Sequence, residues 1–341
     1  MTHMTRRLLA VGLSGPHLVA LTGQPGWAAE LDGLGLAFIA LGVDRVTEPA
    51  DGAPLGSTVD SSVAATVFAT DAPNTAVVVV AAPHRDHPYN LGRRVASLDH
   101  LSSGRTGLLL GERDRYAPAA DAGRESWSGA RLSQGAPLEP ATTRDAALAL
   151  QKLWQSWPAD TIVGDRTTGI YAEAERIVHI DHDGVFSIAG PLNVPSTPQG
   201  APVIGWVADR AEQLEAAAGA AELLVVPASL LSSALTVSPA VPVFALVPVD
   251  TDATAHEVAA AIGALDPRAN VLLVPDARLT ASGIALLVRD LGVLLPELAA
   301  PHGDAAPATS TLRDRLGLGS PAPLLAGARS AFPAPSAEVA R

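Results

Sequence analysis

Apolar residues in this chain fall in short uninterrupted runs bounded by glycine, proline or aspartate, not in alternation with polar ones. Eight such runs occupy residues 8–11, 36–41, 76–81, 107–111, 202–207, 222–226, 242–247 and 270–274. A strand that alternates shows one face to water, whereas a continuous apolar strand is covered on both faces, as parallel sheets require. Segments of helical spacing separate most of the runs. That alternation predicts one α/β domain, a single (β/α)8 TIM-type barrel, with a doubly wound open sheet as the alternative topology.

Helices are predicted over 61–70, 90–101, 143–157, 209–221, 253–265 and 279–298. The clearest is 143–157, where Leu150, Leu153, Trp154 and Trp157 stand at i, i+3, i+4 and i+7 and form one stripe. Thr142 with Asp145 three residues on supplies a start signal of the capping-box kind, and Pro158 a stop. Two stretches break the pattern. Residues 112–140 are polar and rich in glycine and proline, and are expected as a long loop over one end of the barrel. Residues 160–200 contain few helix signals, but Val185-Phe186-Ser187-Ile188 predicts a hairpin inserted before the fifth strand. The barrel domain is expected over 1–318 and a flexible Pro/Ala-rich tail over 319–341.

Composition narrows the function classes. Aromatic residues make up only 4% of the chain against 48% hydrophobic, so the core must be built from alanine, valine and leucine. A net charge of -12 argues against nucleic acid, whose phosphates need a concentrated positive field. The chain has no cysteine, which excludes disulfides, thiolate nucleophiles and cysteine zinc sites. No run reaches the roughly 18 apolar residues of a membrane span, and a cytoplasmic location is expected. Arg6 and Arg7 before Leu8 resemble the start of a signal peptide, but Gly12, Ser14, Gly15 and Pro16 break the apolar run, so a first buried strand is predicted instead.

Two polar clusters stand out. His84, Arg85, Asp86, His87 and Tyr89 follow the third strand, where a barrel places its active-site loops. They are candidate pocket residues, forming either an acid–base and anion-binding cluster or a solvated loop before a proline-started helix. His179, Asp181, His182 and Asp183 have the composition of metal ligands, but their spacing fits no metal motif and a polar hairpin turn is expected, with no metal. Gly12-Leu13-Ser14-Gly15 and Gly33-Leu34-Gly35 lack the full dinucleotide spacing, and Ser14 near His17 is no sign of a hydrolase triad. No catalytic residue is assigned.

Three stretches carry a family resemblance. His87-Pro88-Tyr89-Asn90-Leu91-Gly92-Arg93-Arg94 leading into Leu98-Asp99-His100-Leu101-Ser102-Ser103-Gly104-Arg105 is similar to the helix and turn before the fourth strand in the nitrilotriacetate and pristinamycin-type branch of the bacterial luciferase-like monooxygenases. Leu153-Trp154-Gln155-Ser156-Trp157, His179-Ile180-Asp181-His182-Asp183-Gly184, Gly190-Pro191-Leu192-Asn193-Val194-Pro195 and Ser196-Thr197-Pro198-Gln199-Gly200 resemble the segment of that branch from its fourth helix to its fifth strand. Leu294-Leu295-Pro296-Glu297-Leu298, followed by Thr311-Leu312-Arg313-Asp314-Arg315-Leu316-Gly317-Leu318, resembles its C-terminal end.

The resemblance implies reduced FMN as cofactor, a separate flavin reductase that supplies it, a small organic substrate, and a homodimer or higher oligomer. The family-aligned flavin positions are Gly42, Val80, Tyr89, Asn90, Leu109, Asp209 and Arg210. At all of these but Tyr89 the chain departs from the family pattern. Gly42 stands for an acid near the flavin ring, Val80 for a threonine, Asn90 for the histidine of Pro-Tyr-His, Leu109 for an asparagine, and Ala208-Asp209-Arg210-Ala211 for a Gly-Ser-Ser-Glu phosphate turn. Flavin binding needs donors, and most replacements are apolar or acidic; Arg210 alone adds a charged donor. The expectation is an FMN-dependent monooxygenase homologue with a largely eroded flavin site. Its alternative is a non-catalytic luciferase-like paralogue serving as a binding or partner subunit.

Overall fold

The computed structural model describes residues 6–47, 56–117, 136–298 and 310–333. The order of elements is β1 (Leu9–Leu13), α1 (Gly15–Gly23), β2 (Ile39–Leu41), α2 (Ser61–Asp71), β3 (Val77–Ala81), α3 (Pro88–Leu101), β4 (Thr106–Leu110) and α4 (Pro140–Gln155). A two-stranded hairpin of β5 (His182–Asp183) and β6 (Ser187–Ile188) follows. Then come β7 (Val203–Val207), α5 (Ala211–Ala217), β8 (Leu223–Pro227), α6 (Leu231–Val237), β9 (Val243–Val249), α7 (Ala255–Gly263), β10 (Asn270–Pro275), α8 (Ala281–Leu294) and α9 (Leu312–Arg315).

Eight strands close a parallel barrel in the order β1-β10-β9-β8-β7-β4-β3-β2, and β5-β6 stands outside it as an antiparallel pair. Each predicted apolar run supplies one barrel strand, and the open-sheet alternative fails because β1 pairs with both β10 and β2. The continuous apolar pattern has its reason in two separate cores. Ala10, Phe38, Val78, Leu109, Val225, Phe244 and Leu272 pack along the barrel axis, with the Phe38 and Phe244 rings 5.0 Å apart. Their strand neighbours Val11, Ile39, Val79, Leu108, Leu110 and Leu273 pack outward under the helices. Gly107 leaves room on the axis for Leu312, since a Cβ there would come within 2.6 Å of its side chain. Leu312 thereby plugs the N-terminal end of the barrel.

Several helix boundaries differ from expectation. α4 begins at Pro140, after Glu139, because proline at a first turn loses no helical hydrogen bond. Thr142 therefore lies inside the helix, and Asp145 turns away to accept from the Phe186 amide at 2.9 Å. α5 is shorter than predicted, since Ala218 leaves helical geometry and Gly219 takes φ 71°. Sequence spacing did not anticipate α1, which starts through a capping box between Ser14 and His17, nor α6 and α9. Of the long loop expected over 112–140, residues 118–135 lie outside the described residues. Residues 319–333 are docked on the inserted hairpin: the His179 amide donates to Arg329 O at 3.0 Å, the Ala331 amide to Ile177 O at 2.8 Å, and Arg329 pairs with Asp181 at 2.7 Å.

Candidate active site at the barrel mouth

The C-terminal strand ends gather four polar corners, the face on which barrel enzymes build their sites. After β1, Ser14 and the Gly15 amide open α1. The Gly15 amide donates to both carboxylate oxygens of Asp44, at 2.9 and 3.0 Å, and the Tyr116 hydroxyl donates to Asp44 at 2.7 Å. Burial, then the bond to Asp44, pushes the Tyr116 phenol well above its ordinary range. Asp44 sits two residues beyond Gly42, which turns the chain in the left-handed region at φ 81°. An acid thus follows the second strand two residues beyond the family-aligned Gly42.

The second corner links the turns after β2, β3 and β4. Asp114 is 1% exposed and is held by Arg45 through an ion pair and by Arg85 at 3.8 Å. Arg45 also lies over the Tyr116 ring, 5.2 Å from its centroid. His84 is buried with Nδ1 3.2 Å from Glu112 O, and burial lowers its pKa. His87 caps α3, its Nδ1 accepting from the Tyr89 amide at 3.2 Å, while its ring meets Phe186 edge-on at 5.6 Å. Burial lowers the His87 pKa as well. Burial raises the Asp86 carboxyl against the opposing charge of its partner Arg94. The sequence cluster 84–89 is therefore brought together as a folded corner, in which His87 serves as a helix cap, Arg85 reaches Asp114 and Asp86 faces Arg94. Tyr89 is half-buried against the helix layer and Asn90 is exposed on α3.

Glu112 forms the third corner. Its carboxylate accepts from Arg210 and, at 3.1 Å, from Gln213 Nε2. Gln213 Oε1 in turn accepts from the Asp209 amide at 2.7 Å, which ties the turn after β7 to α5. Arg210 also faces Asp209 at 3.3 Å and Glu212 at 3.9 Å, so three carboxylates surround one guanidinium. Inside this ring the barrel axis ends in hydrocarbon. Val80 and Leu109 are buried in the axial core beneath Val43 and Val46, and a Cβ on Gly111 would stand 2.3 Å from Val46.

The fourth corner, after β9 and β10, carries Asp276, whose carboxyl is held well below the ordinary range by Arg278. The hairpin histidines lie apart from the mouth. His182 bonds Asp145 at 3.0 Å and Lys152 at 3.3 Å, His179 faces the Gly190 carbonyl at 3.1 Å, and Asp181 belongs to Arg329. Each of these residues has a different partner, and among the described residues no three acids or histidines converge as metal ligands. Asp44, Glu112, Asp114, Tyr116 and Gln213 were not singled out from sequence; the one available signal was their position just beyond a strand end or, for Gln213, one turn into the helix that follows.

A closed parallel barrel with its polar corners on the C-terminal strand ends defines a TIM-type (β/α)8 barrel. No family model matches the chain. One component of the pristinamycin IIA synthase of Streptomyces pristinaespiralis is 30% identical over 249 residues, 70% of this chain and 70% of that protein. Nitrilotriacetate monooxygenase component A of Aminobacter aminovorans is 33% identical over 149 residues, 43% of this chain and 32% of that protein. Other curated relatives are likewise matched over only 25% to 32% of their own lengths, so the chain spans about a third or less of them. EDTA monooxygenase from Chelativorans sp. BNC1 superposes with a TM-score of 0.66 at 18% identity, covering 92% of this chain and 99% of that one, and shares the fold. The chain belongs to the luciferase-like monooxygenases, as its sequence motifs indicated. Among the described residues no helix is long and apolar enough to cross a membrane.

The flavin of that family is FMN, whose phosphate needs donors and whose ring needs a polar edge. The donors at the β7 corner, Arg210 and Gln213, are both committed to Glu112, and Asp209 and Glu212 add like charge around them. The ring end meets Val43, Val46, Val80 and Leu109. In this arrangement a phosphate entering the β7 corner would have to displace one carboxylate and approach two more.

Proposed function

We propose that this chain is an FMN-dependent monooxygenase homologue for a small organic substrate, with a flavin site eroded at both its phosphate and its ring ends. The observation that carries the erosion is the Glu112 carboxylate seated on Arg210 and Gln213, where it plays the part of an internal anion. Kinship to nitrilotriacetate monooxygenase component A supports a two-component arrangement, with reduced flavin delivered by a separate reductase. A cytoplasmic, oligomeric protein is consistent with that arrangement.

A non-catalytic partner subunit is the second reading. The observation behind it is the closed Glu112 corner, which occupies the two donors there. The experiment that separates the two is a titration of purified protein with oxidised and reduced FMN, with FAD and a deazaflavin alongside, followed by absorbance and flavin fluorescence. Weak but saturable binding of reduced FMN is expected. Tight binding with shifted flavin bands overturns the erosion, and no binding of any flavin in either redox state leaves the partner-subunit reading.

A further inference from the structure

Residues 112–116, just beyond β4, are bonded to turns on both sides of the barrel mouth. Glu112 accepts from Arg210 and Gln213, after β7, and its carbonyl oxygen meets His84, after β3. Asp114 holds Arg45, after β2, and Arg85, after β3. The Arg115 amide donates to Arg45 O at 2.8 Å and its guanidinium to Thr47 O at 2.9 Å. Tyr116 donates to Asp44, and its hydroxyl fills the space that a side chain on Gly15, after β1, would need. In the closed strand order β7 and β1 stand opposite each other, four steps apart in either direction. One short segment therefore ties opposite sides of the rim together.

Both ends of the segment sit on donors that face the mouth. Glu112 occupies Arg210 and Gln213, while Tyr116 closes on the start of α1, where Asp44 already accepts the Gly15 amide at 2.9 Å. The ties are hydrogen bonds and ion pairs, and two of the partners, Arg85 and Arg210, are 45% and 44% exposed. Exposed pairs hold weakly. A segment held by polar bonds near the surface opens at lower cost than the packed strands beneath it. Val43 and Ala82, at the mouth end of the barrel, are 0% and 1% exposed with the segment in place.

We propose that residues 112–116 form an autoinhibitory strap, closed over the mouth in this structure, which opens as a unit apart from the barrel and sets the access of any ligand to the axis. This rests on the proposed function only in taking the mouth as the ligand site, and its test needs no flavin.

The chain has no cysteine, so one placed beneath the strap reports its opening alone. The full chain carrying Val43→Cys is treated with an aromatic disulfide reagent, and the labelling rate is compared with the rate of global unfolding in the same buffer. Labelling is expected to outpace unfolding, and to quicken by about tenfold or more when Arg115→Ala and Tyr116→Phe remove the bonds of two strap residues. Val288→Ala, which loosens the buried face of α8 instead, should not quicken it to that extent. Labelling at the unfolding rate, a rate unmoved by the two strap substitutions, or an equal gain from Val288→Ala overturns the strap. Should Val43→Cys not fold, Ala82→Cys carries the same comparison with the same outcomes. A strap that opens in this way in a chain that binds no flavin stands, and only the FMN-dependent reading falls.

Discussion

Glu112, on the turn after β4, and Arg210, on the turn after β7, close on each other across the C-terminal mouth of the barrel. Gln213, within the first turn of α5, bonds the same Glu112 oxygen at 3.1 Å. One carboxylate thus consumes the two donors that this corner offers to an anion.

Replacing Glu112 with glutamine removes the charge but keeps an acceptor for Arg210. FMN affinity is expected to rise by about tenfold, equivalent to about 1.4 kcal/mol, as read by fluorescence quenching. Arg210 is 44% exposed, so stability should change little, by about 1 kcal/mol or less. Unchanged affinity in this variant rules out Glu112 as the barrier.

Asp114 is the structural counterpart of that pair, buried and shared by Arg45 and Arg85. Asp114→Ala strands the half-buried Arg45 without its partner and is expected to cost about 3 kcal/mol, as breaking a buried pair does. Urea unfolding at neutral pH measures it, and a loss below about 1 kcal/mol would place the pair among surface ion pairs.

The tight approach of Val46 to Gly111 predicts a rescue. Gly111→Ala puts a Cβ 2.3 Å from Val46 and is expected to destabilise by about 1–3 kcal/mol through overpacking. Adding Val46→Ala makes room, so the double variant should be more stable than the sum of the two single changes. Strict additivity in denaturant midpoints would show that the two residues do not press on each other.

His17, His84 and His87 all have pKa values lowered by burial from 6.5. The unfolded chain therefore binds more protons than the folded one just below pH 6.5, and stability rises with pH there. It is fully present above about pH 6.5 and is lost as the pH falls through the folded values. Unfolding free energies from pH 7.5 down to 5 should decline, and His17→Asn should flatten the slope even though it also removes a cap from α1. An equal slope in that variant would shift the effect to other groups.

The strands were legible because each had to be apolar on both faces, and 36–41 or 270–274 could be nothing else once helices separated them. The stripe of Leu150, Leu153 and Trp154 was legible for the same reason, as all three are fully buried. Asp145 was misjudged as a helix start because its partners, His182 and the Phe186 amide, come from the hairpin. The site was harder to see. His84 and His87 were visible as a cluster, but their roles as a buried ring and a helix cap depend on Glu112 O and the Tyr89 amide.

By itself the sequence determined the eight buried strands, the inserted hairpin and the kinship, since burial pattern and local motifs act over short stretches of chain. Only the tertiary structure decided that the sheet closes with β1 between β10 and β2, that Glu112 meets Arg210, and that Asp44 meets Gly15 and Tyr116. Barrel closure brings together side chains from strand ends far apart in the chain, and no local spacing encodes which of them will share a charge.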